Sequence, residues 1–129
     1  ELKGITIAGD EIPTLIDEIP ILVVAAVLAA GTTVITNARE LRVKETDRIA
    51  AMVQGLSRLG AEVEELDDGL IVKGSARLTP GNISTFSDHR IAMSFSILSK
   101  ASGIDIHIDD RDCVAISYPT FFTDMDKLR

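Results

Sequence analysis

From Pro20 to Ala30 the chain carries no polar side chain. A helix that is apolar on every face has nothing to offer water, so it must be enclosed on all sides by the rest of the protein. Pro20 suits a first helical turn and Gly31 a stop, so the run reads as one fully buried helix. At its full length the apolar run is too short to span a bilayer, which excludes a membrane segment here. The fold must therefore wrap its other elements around this helix.

An internal offset sharpens that requirement. Shifting the chain by 72 residues lays Gly31 on Gly103, the strand after one glycine on the strand after the other, and Asp17 on His89. Thr33–Thr36 reads as a strand because it is β-branched, and Ile104–Ile108 because it alternates. Ile5–Ile7 is a brief strand, and Val63 and Ile71 lie on two runs flanking Asp67-Asp68-Gly69, a hairpin signature. Ile49, Met52, Val53, Leu56 and Leu59 recur at helical spacing, giving a helix over 45–59 that ends at Gly60. Ser87 or Asp88 caps a helix reaching about Ser102. Tyr118–Leu128 reads as a closing helix. The expectation is an α+β fold of a duplicated unit, divided near residues 1–74 and 75–129, with helices packed inside or behind mixed sheets. The second copy lacks its hairpin, and the chain starts at Glu1 with no signal segment, so it is expected to be a piece of a longer protein.

Charge narrows the function. Against 20 Asp and Glu stand 13 Lys and Arg, a net charge of −7, so a broadly basic nucleic-acid face is excluded. Aromatic residues are only 4%, which removes base-stacking platforms as well. The lone Cys113 has no partner for an intrachain disulfide and no obvious activating neighbour; it fits a reducing, cytoplasmic setting and a packing role. No Cys/His set has zinc spacing, and no phosphate-binding or dinucleotide glycine pattern is present.

Within this acidic chain Arg39, Arg42, Lys44 and Arg48 crowd the start of the second helix. They form either a solvated helix entrance with ordinary ion pairs or an anion site. Cations in a first turn oppose the helix dipole unless an anion is bound there, and with the anion they act together with the free amides. At 100° per residue counted from Lys44, the apolar stripe covers roughly 60° to 180° and Glu45 falls inside it at about 100°. Such a carboxylate either lies along the core, its pKa raised and suited to proton transfer, or caps the helix from outside. Asp88-His89-Arg90 begins another helix with a cation. There His89 either meets a substrate or makes a structural hydrogen bond. Asp17 and Glu18 precede the buried helix, where acids already favour the dipole. His107, alternating with apolar residues, faces solvent.

At these residues the chain resembles the C-terminal part of the 5-enolpyruvylshikimate-3-phosphate synthase (3-phosphoshikimate 1-carboxyvinyltransferase) family. Arg42-Val43-Lys44-Glu45-Thr46-Asp47-Arg48 matches the family signature, and Asp88-His89-Arg90-Ile91-Ala92-Met93 its second strong marker. Leu15–Pro20 and Ser117–Phe122 resemble two further segments. Ile116 stands where many members carry Lys, and Glu40 where some carry a polar amide.

The resemblance implies repeated βαβαββ units of the enolpyruvyl transferase type, an inside-out α/β barrel domain of which this chain is about two of three units. It implies transfer of the enolpyruvyl group of phosphoenolpyruvate to the 5-hydroxyl of shikimate 3-phosphate, with release of phosphate and no metal or organic cofactor. Arg48 and Arg90 would hold phosphoenolpyruvate, Lys44 would contact substrate, and Asp17 would bind the ring hydroxyls and take the hydroxyl proton. Glu45 would exchange protons with the methylene carbon and His89 would support the site. The N-terminal domain of the same protein would complete it, so the fragment alone is expected to be inactive. The rivals are a UDP-N-acetylglucosamine enolpyruvyl transferase and a non-catalytic anion-binding module.

Overall fold

The computed structural model describes residues 2–75 and 77–128. The apolar helix forms, but it is not enclosed on every side as expected: Ile21, Leu22 and Ala25 are only half-buried and Leu28 is exposed, because no described element covers that face. The helix is α2, Ile19–Leu28, with Pro20 in its first turn, and Ile19, Val23, Val24, Ala26 and Val27 are all cut off from solvent. A short α1, Ile12–Leu15, and single 3-10 turns lead into it from β1, Thr6–Ile7. Gly31 then takes φ +87°, a left-handed backbone that a Cβ would strain, and sends the chain into β2, Thr32–Ile35. β2 pairs parallel with β1, as a strand–helix–strand crossover requires.

The next stretch forms α3, Arg48–Arg58, and a hairpin, β3 Val63–Leu66 and β4 Gly69–Lys73. β4 lies antiparallel between β2 and β3, completing a four-stranded sheet in the order β1-β2-β4-β3. The hairpin turn is Asp67-Asp68. Gly69 is the first residue of β4, and a Cβ there would run into the Ile35 carbonyl, so its value is close strand approach.

A second parallel pair, β5 Gly81–Ile83 and β6 Ile106–Ile108, is joined by α4, His89–Ser102. Gly103 closes α4 at φ +73°. The order helix, left-handed glycine, strand thus occurs twice at the offset seen in the sequence. Two short helices, α5 Asp112–Ala115 and α6 Phe121–Asp126, end the described chain, so the continuous helix expected over 118–128 is shorter and preceded by a separate turn. Thr120, at φ −101° and ψ 12°, lies outside helical geometry, so α6 begins only at Phe121.

Helices α2, α3 and α4 pack on one another and on the sheets, with Ile19, Met52, Leu56, Ile91 and Phe95 in one core. A smaller cluster of Ala92, Cys113, Val114 and Phe121 seals the far side of α4. No described helix is long and apolar enough to cross a membrane. This packing sets the N-termini of α3 and α4 beside the segment that enters α2.

Candidate active site

Two capping events build the site. Asp88 is the N-cap of α4: its Oδ1 accepts the amides of Arg90 (2.9 Å) and Ile91 (3.4 Å). Asp47 caps α3 by accepting the Ala50 amide at 3.0 Å. Because α3 starts only at Arg48, Glu45 lies in the connecting loop and not on the helix's apolar stripe. The expectation of a carboxylate along the core is therefore wrong, since the helical angle has no meaning three residues before the helix begins. Glu45 is instead a surface side chain, 55% exposed, that reaches Arg48.

The basic cluster divides in two. Arg39 pairs with Asp67 at the surface. Arg42 ties the α3 cap to the hairpin: NH1 donates to Asp47 (2.8 Å), Nε to the Asp67 carbonyl (2.9 Å) and NH2 to the Leu66 carbonyl (2.6 Å). NH1 also pairs with Glu65 at 2.9 Å. Lys44 and Arg48 turn the other way. Only Arg48 of the four stands in the first turn of the helix.

Arg48 is the centre of the arrangement. Its guanidinium is 2% exposed and donates to both oxygens of Asp88, which is wholly buried: Nε to Oδ2 at 2.8 Å, NH2 to Oδ1 at 3.2 Å. It also donates to Glu45 and, at 3.4 Å, to Asp17 Oδ1. Lys44 Nζ is 3.3 Å from the same Asp17 oxygen. Arg90, a third exposed, donates from NH1 to the Asp17 carbonyl and to Glu18 Oε1, both at 3.3 Å. His89 brings a ring nitrogen within 4.8 Å of ligand oxygens of Glu45 and Asp88. Asp17, Lys44, Glu45, Arg48, His89 and Arg90 therefore share one face, assembled from three segments distant in sequence.

The electrostatics explain why so many charges tolerate one another. Partial burial pushes the Asp17 carboxyl up, but the Lys44 hydrogen bond and charge, followed by the charges of Arg90 and Arg48, outweigh it and hold the group below the ordinary aspartate value. Asp17 is thus an ionised acceptor. The Glu45, Asp88 and His89 trio has the spacing of metal ligands. Its chemistry does not suit a cation, because both carboxylates already face the Arg48 guanidinium, whose charge a metal would have to approach. Beside the charges, a cleft of about 230 Å³ opens between α2 and α4, with Arg90 and Asp17 at its rim and Met93, Ile97 and Tyr118 in its walls.

Asp88 was legible in the sequence as a cap but not as the counter-ion of Arg48, since that pairing joins residues 40 positions apart. Glu18 likewise pairs with Arg90 from 72 residues away, although its sequence context accounts for nothing beyond the dipole. His107 is solvent-facing as read, 69% exposed and paired with Asp105.

Known proteins resemble the chain over nearly its whole length. A 3-phosphoshikimate 1-carboxyvinyltransferase of Sulfurihydrogenibium sp. is 50% identical over 128 residues, 99% of this chain and 30% of the relative. One of Geobacter sulfurreducens is 52% identical over 127 residues, 98% of this chain and 30% of the relative. The structure of EPSP synthase from Acinetobacter baumannii superimposes with a TM-score of 0.85 at 41% identity, covering 96% of this chain and 29% of the other. The chain thus spans about 30% of the length of the curated relatives it matches. Its α+β architecture is that of the enolpyruvyl transferases. With the family profile described as EPSP synthase (3-phosphoshikimate 1-carboxyvinyltransferase) matching residues 1–125, the chain belongs to the EPSP synthase family.

Proposed function

We propose that this chain is part of the C-terminal domain of a two-domain enzyme that transfers the enolpyruvyl group of phosphoenolpyruvate to the 5-hydroxyl of shikimate 3-phosphate, a step toward aromatic amino acids. The chain supplies about two of three βαβαββ units, near 1–74 and 75–129, and the N-terminal domain of the same protein closes over the substrates. A cytoplasmic setting belongs to the same proposal, supported by the free, buried Cys113. The observation that carries the reading is the convergence of Lys44, Arg48 and Arg90 with Asp17 and Glu45 on one face.

In this reading Lys44 and Arg90, the more accessible cations, engage phosphate or carboxylate oxygens first. As ligand oxygens neutralise them, their hold on Asp17 weakens and Asp17 gains basicity toward the 5-hydroxyl proton. The hydroxyl oxygen then adds to the enol carbon while the methylene carbon takes a proton from Glu45, which enters this step in its acid form after leaving Arg48, giving a tetrahedral intermediate. Elimination breaks the bond to phosphate, which carries away the proton taken up by Asp17, and returns a methyl proton to Glu45, restoring the double bond. Glu45 suits both transfers because it is exposed and can leave Arg48, and its departure uncovers NH2 of Arg48 for the ligand. His89, close to Glu45, supports the transfer. No cofactor enters this chemistry.

The acids argue against a pure anion-binding module. Asp17 and Glu45 are exposed carboxylates set directly against Lys44 and Arg48, and phosphate recognition gains nothing from them. The test is Glu45→Gln in the intact protein. A kcat lowered by roughly a hundredfold or more, with substrate affinity kept, is expected for a lost proton carrier. Unchanged turnover rejects the assignment, and steady turnover by the 129-residue chain alone rejects the two-domain reading.

A further inference from the structure

The segment between β5 and α4 is under backbone strain at an unexpected place. Phe86 and Ser87 both adopt left-handed φ, +54° and +56°. Two successive residues with a Cβ rarely accept that conformation, and a bulky one such as Phe least of all. Phe86 is 46% exposed, so packing of its ring does not hold it there. Residues with strained backbone persist only when surrounding bonds over-determine them.

Those bonds come from the loop after β6. Asp109 Oδ1 accepts from both the amide (2.9 Å) and the hydroxyl (2.8 Å) of Thr85, whose side chain is wholly buried. The Thr85 hydroxyl oxygen accepts the Ser87 amide at 3.2 Å, and the Thr85 carbonyl accepts the Asp88 amide at 3.0 Å. Ser87 Oγ donates to Asp110 Oδ2 at 2.9 Å. The hydrogen bonds to Thr85, the backbone one first, hold the Asp109 carboxyl below its usual range against the opposing effect of burial.

We infer that Asp109 is a positioning residue: through Thr85 it holds the 85–88 turn that aims Asp88 at Arg48 and sets His89 and Arg90 in the site. The chain of contacts is continuous from Asp109 to Thr85, to Asp88, and across to the Arg48 guanidinium. Asp109 itself stands at the surface and touches none of the site residues. This rests on the transferase reading for its kinetic consequence but not for its structural one.

The experiment uses the intact protein with Asp109→Ala, Asp109→Asn and Thr85→Val. Asp109→Ala is expected to raise the KM for phosphoenolpyruvate about tenfold or more, the usual consequence of losing hydrogen bonds to a charged group. The KM for shikimate 3-phosphate is expected to move much less. A purely structural defect would lower the active fraction and leave both KM values alone. Asp109→Asn, which keeps the accepting oxygen, should recover most of the loss. In parallel, hydrogen exchange at the Arg90 and Ile91 amides should quicken in Asp109→Ala and return toward normal in Asp109→Asn. Unchanged exchange at those amides, or an Asn variant as impaired as the Ala variant, overturns the inference. Should Asp109→Ala fail to fold, Thr85→Val, similar in shape, is read by the same two measurements. A wild-type protein without transferase activity would instead reject the proposed function, and the exchange measurement would still decide the role of Asp109.

Discussion

The guanidinium of Arg48 and the carboxylate of Asp88 meet in a two-point contact, 2.8 Å and 3.2 Å, with both side chains shut off from water. Each leads a different helix, so the pair fixes how the start of α3 faces the start of α4. Removing one partner leaves a buried charge uncompensated, at a cost of about 3–5 kcal/mol. Asp88→Asn in the intact protein should lose stability on that scale in urea denaturation. The double change Arg48→Met with Asp88→Asn should regain much of it, because no orphan charge remains and Asn still accepts the α4 amides, yet show no turnover. A double variant as unstable as the single one would contradict this account.

Asp17 gives a prediction in pH. Its folded pKa lies below the ordinary value, so its pairing with Lys44 contributes stability above about pH 3.9 and loses it as pH falls through the lower folded value. A carbon-13 NMR titration of the carboxyl should show a midpoint below that of a free aspartate. Lys44→Met should raise the midpoint, as the hydrogen bond and the nearest positive charge disappear together. A midpoint unmoved by that substitution would mean Lys44 does not govern the group.

Gly55, in the middle of α3, sets two effects against each other. Alanine there gains about 1 kcal/mol of helix propensity. Its Cβ, however, would collide with the ring of Phe95, which is fully buried and has nowhere to retreat. Overpacking of this kind costs about 1–3 kcal/mol, so the balance falls on the destabilising side. Gly55→Ala is expected to lower the denaturation midpoint, and adding Phe95→Leu to restore part of it. A stabilised Gly55→Ala would show that α3 and α4 can move apart freely.

Much of this was legible along the chain. The apolar run of α2, the Asp88 cap, the glycines that end α2 and α4, and the hairpin all rest on interactions between near neighbours. The resemblance carried by Arg42–Arg48 and Asp88–Met93 named the residues that share the site face. Errors fell where a segment's local pattern continued beyond its true end. The stripe of α3 extrapolated back to Glu45, although Asp47 caps the helix and makes everything before it loop. Tyr118 lies likewise before α6, because Thr120 precedes its first turn.

Sequence alone determined which stretches are apolar, which glycines end α2 and α4, and that cations head two helices, because these follow from periodicity, caps and backbone stereochemistry within a few residues. Only the tertiary structure decided which cation does what. Arg42 serves the hairpin while Arg48, six positions later, joins Asp17, Glu45 and Asp88; the turn that aims Asp88 hangs on Asp109. The reason is physical: these partners are set by how α2, α3 and α4 lie against one another, and charges attract across that packing irrespective of their distance along the chain.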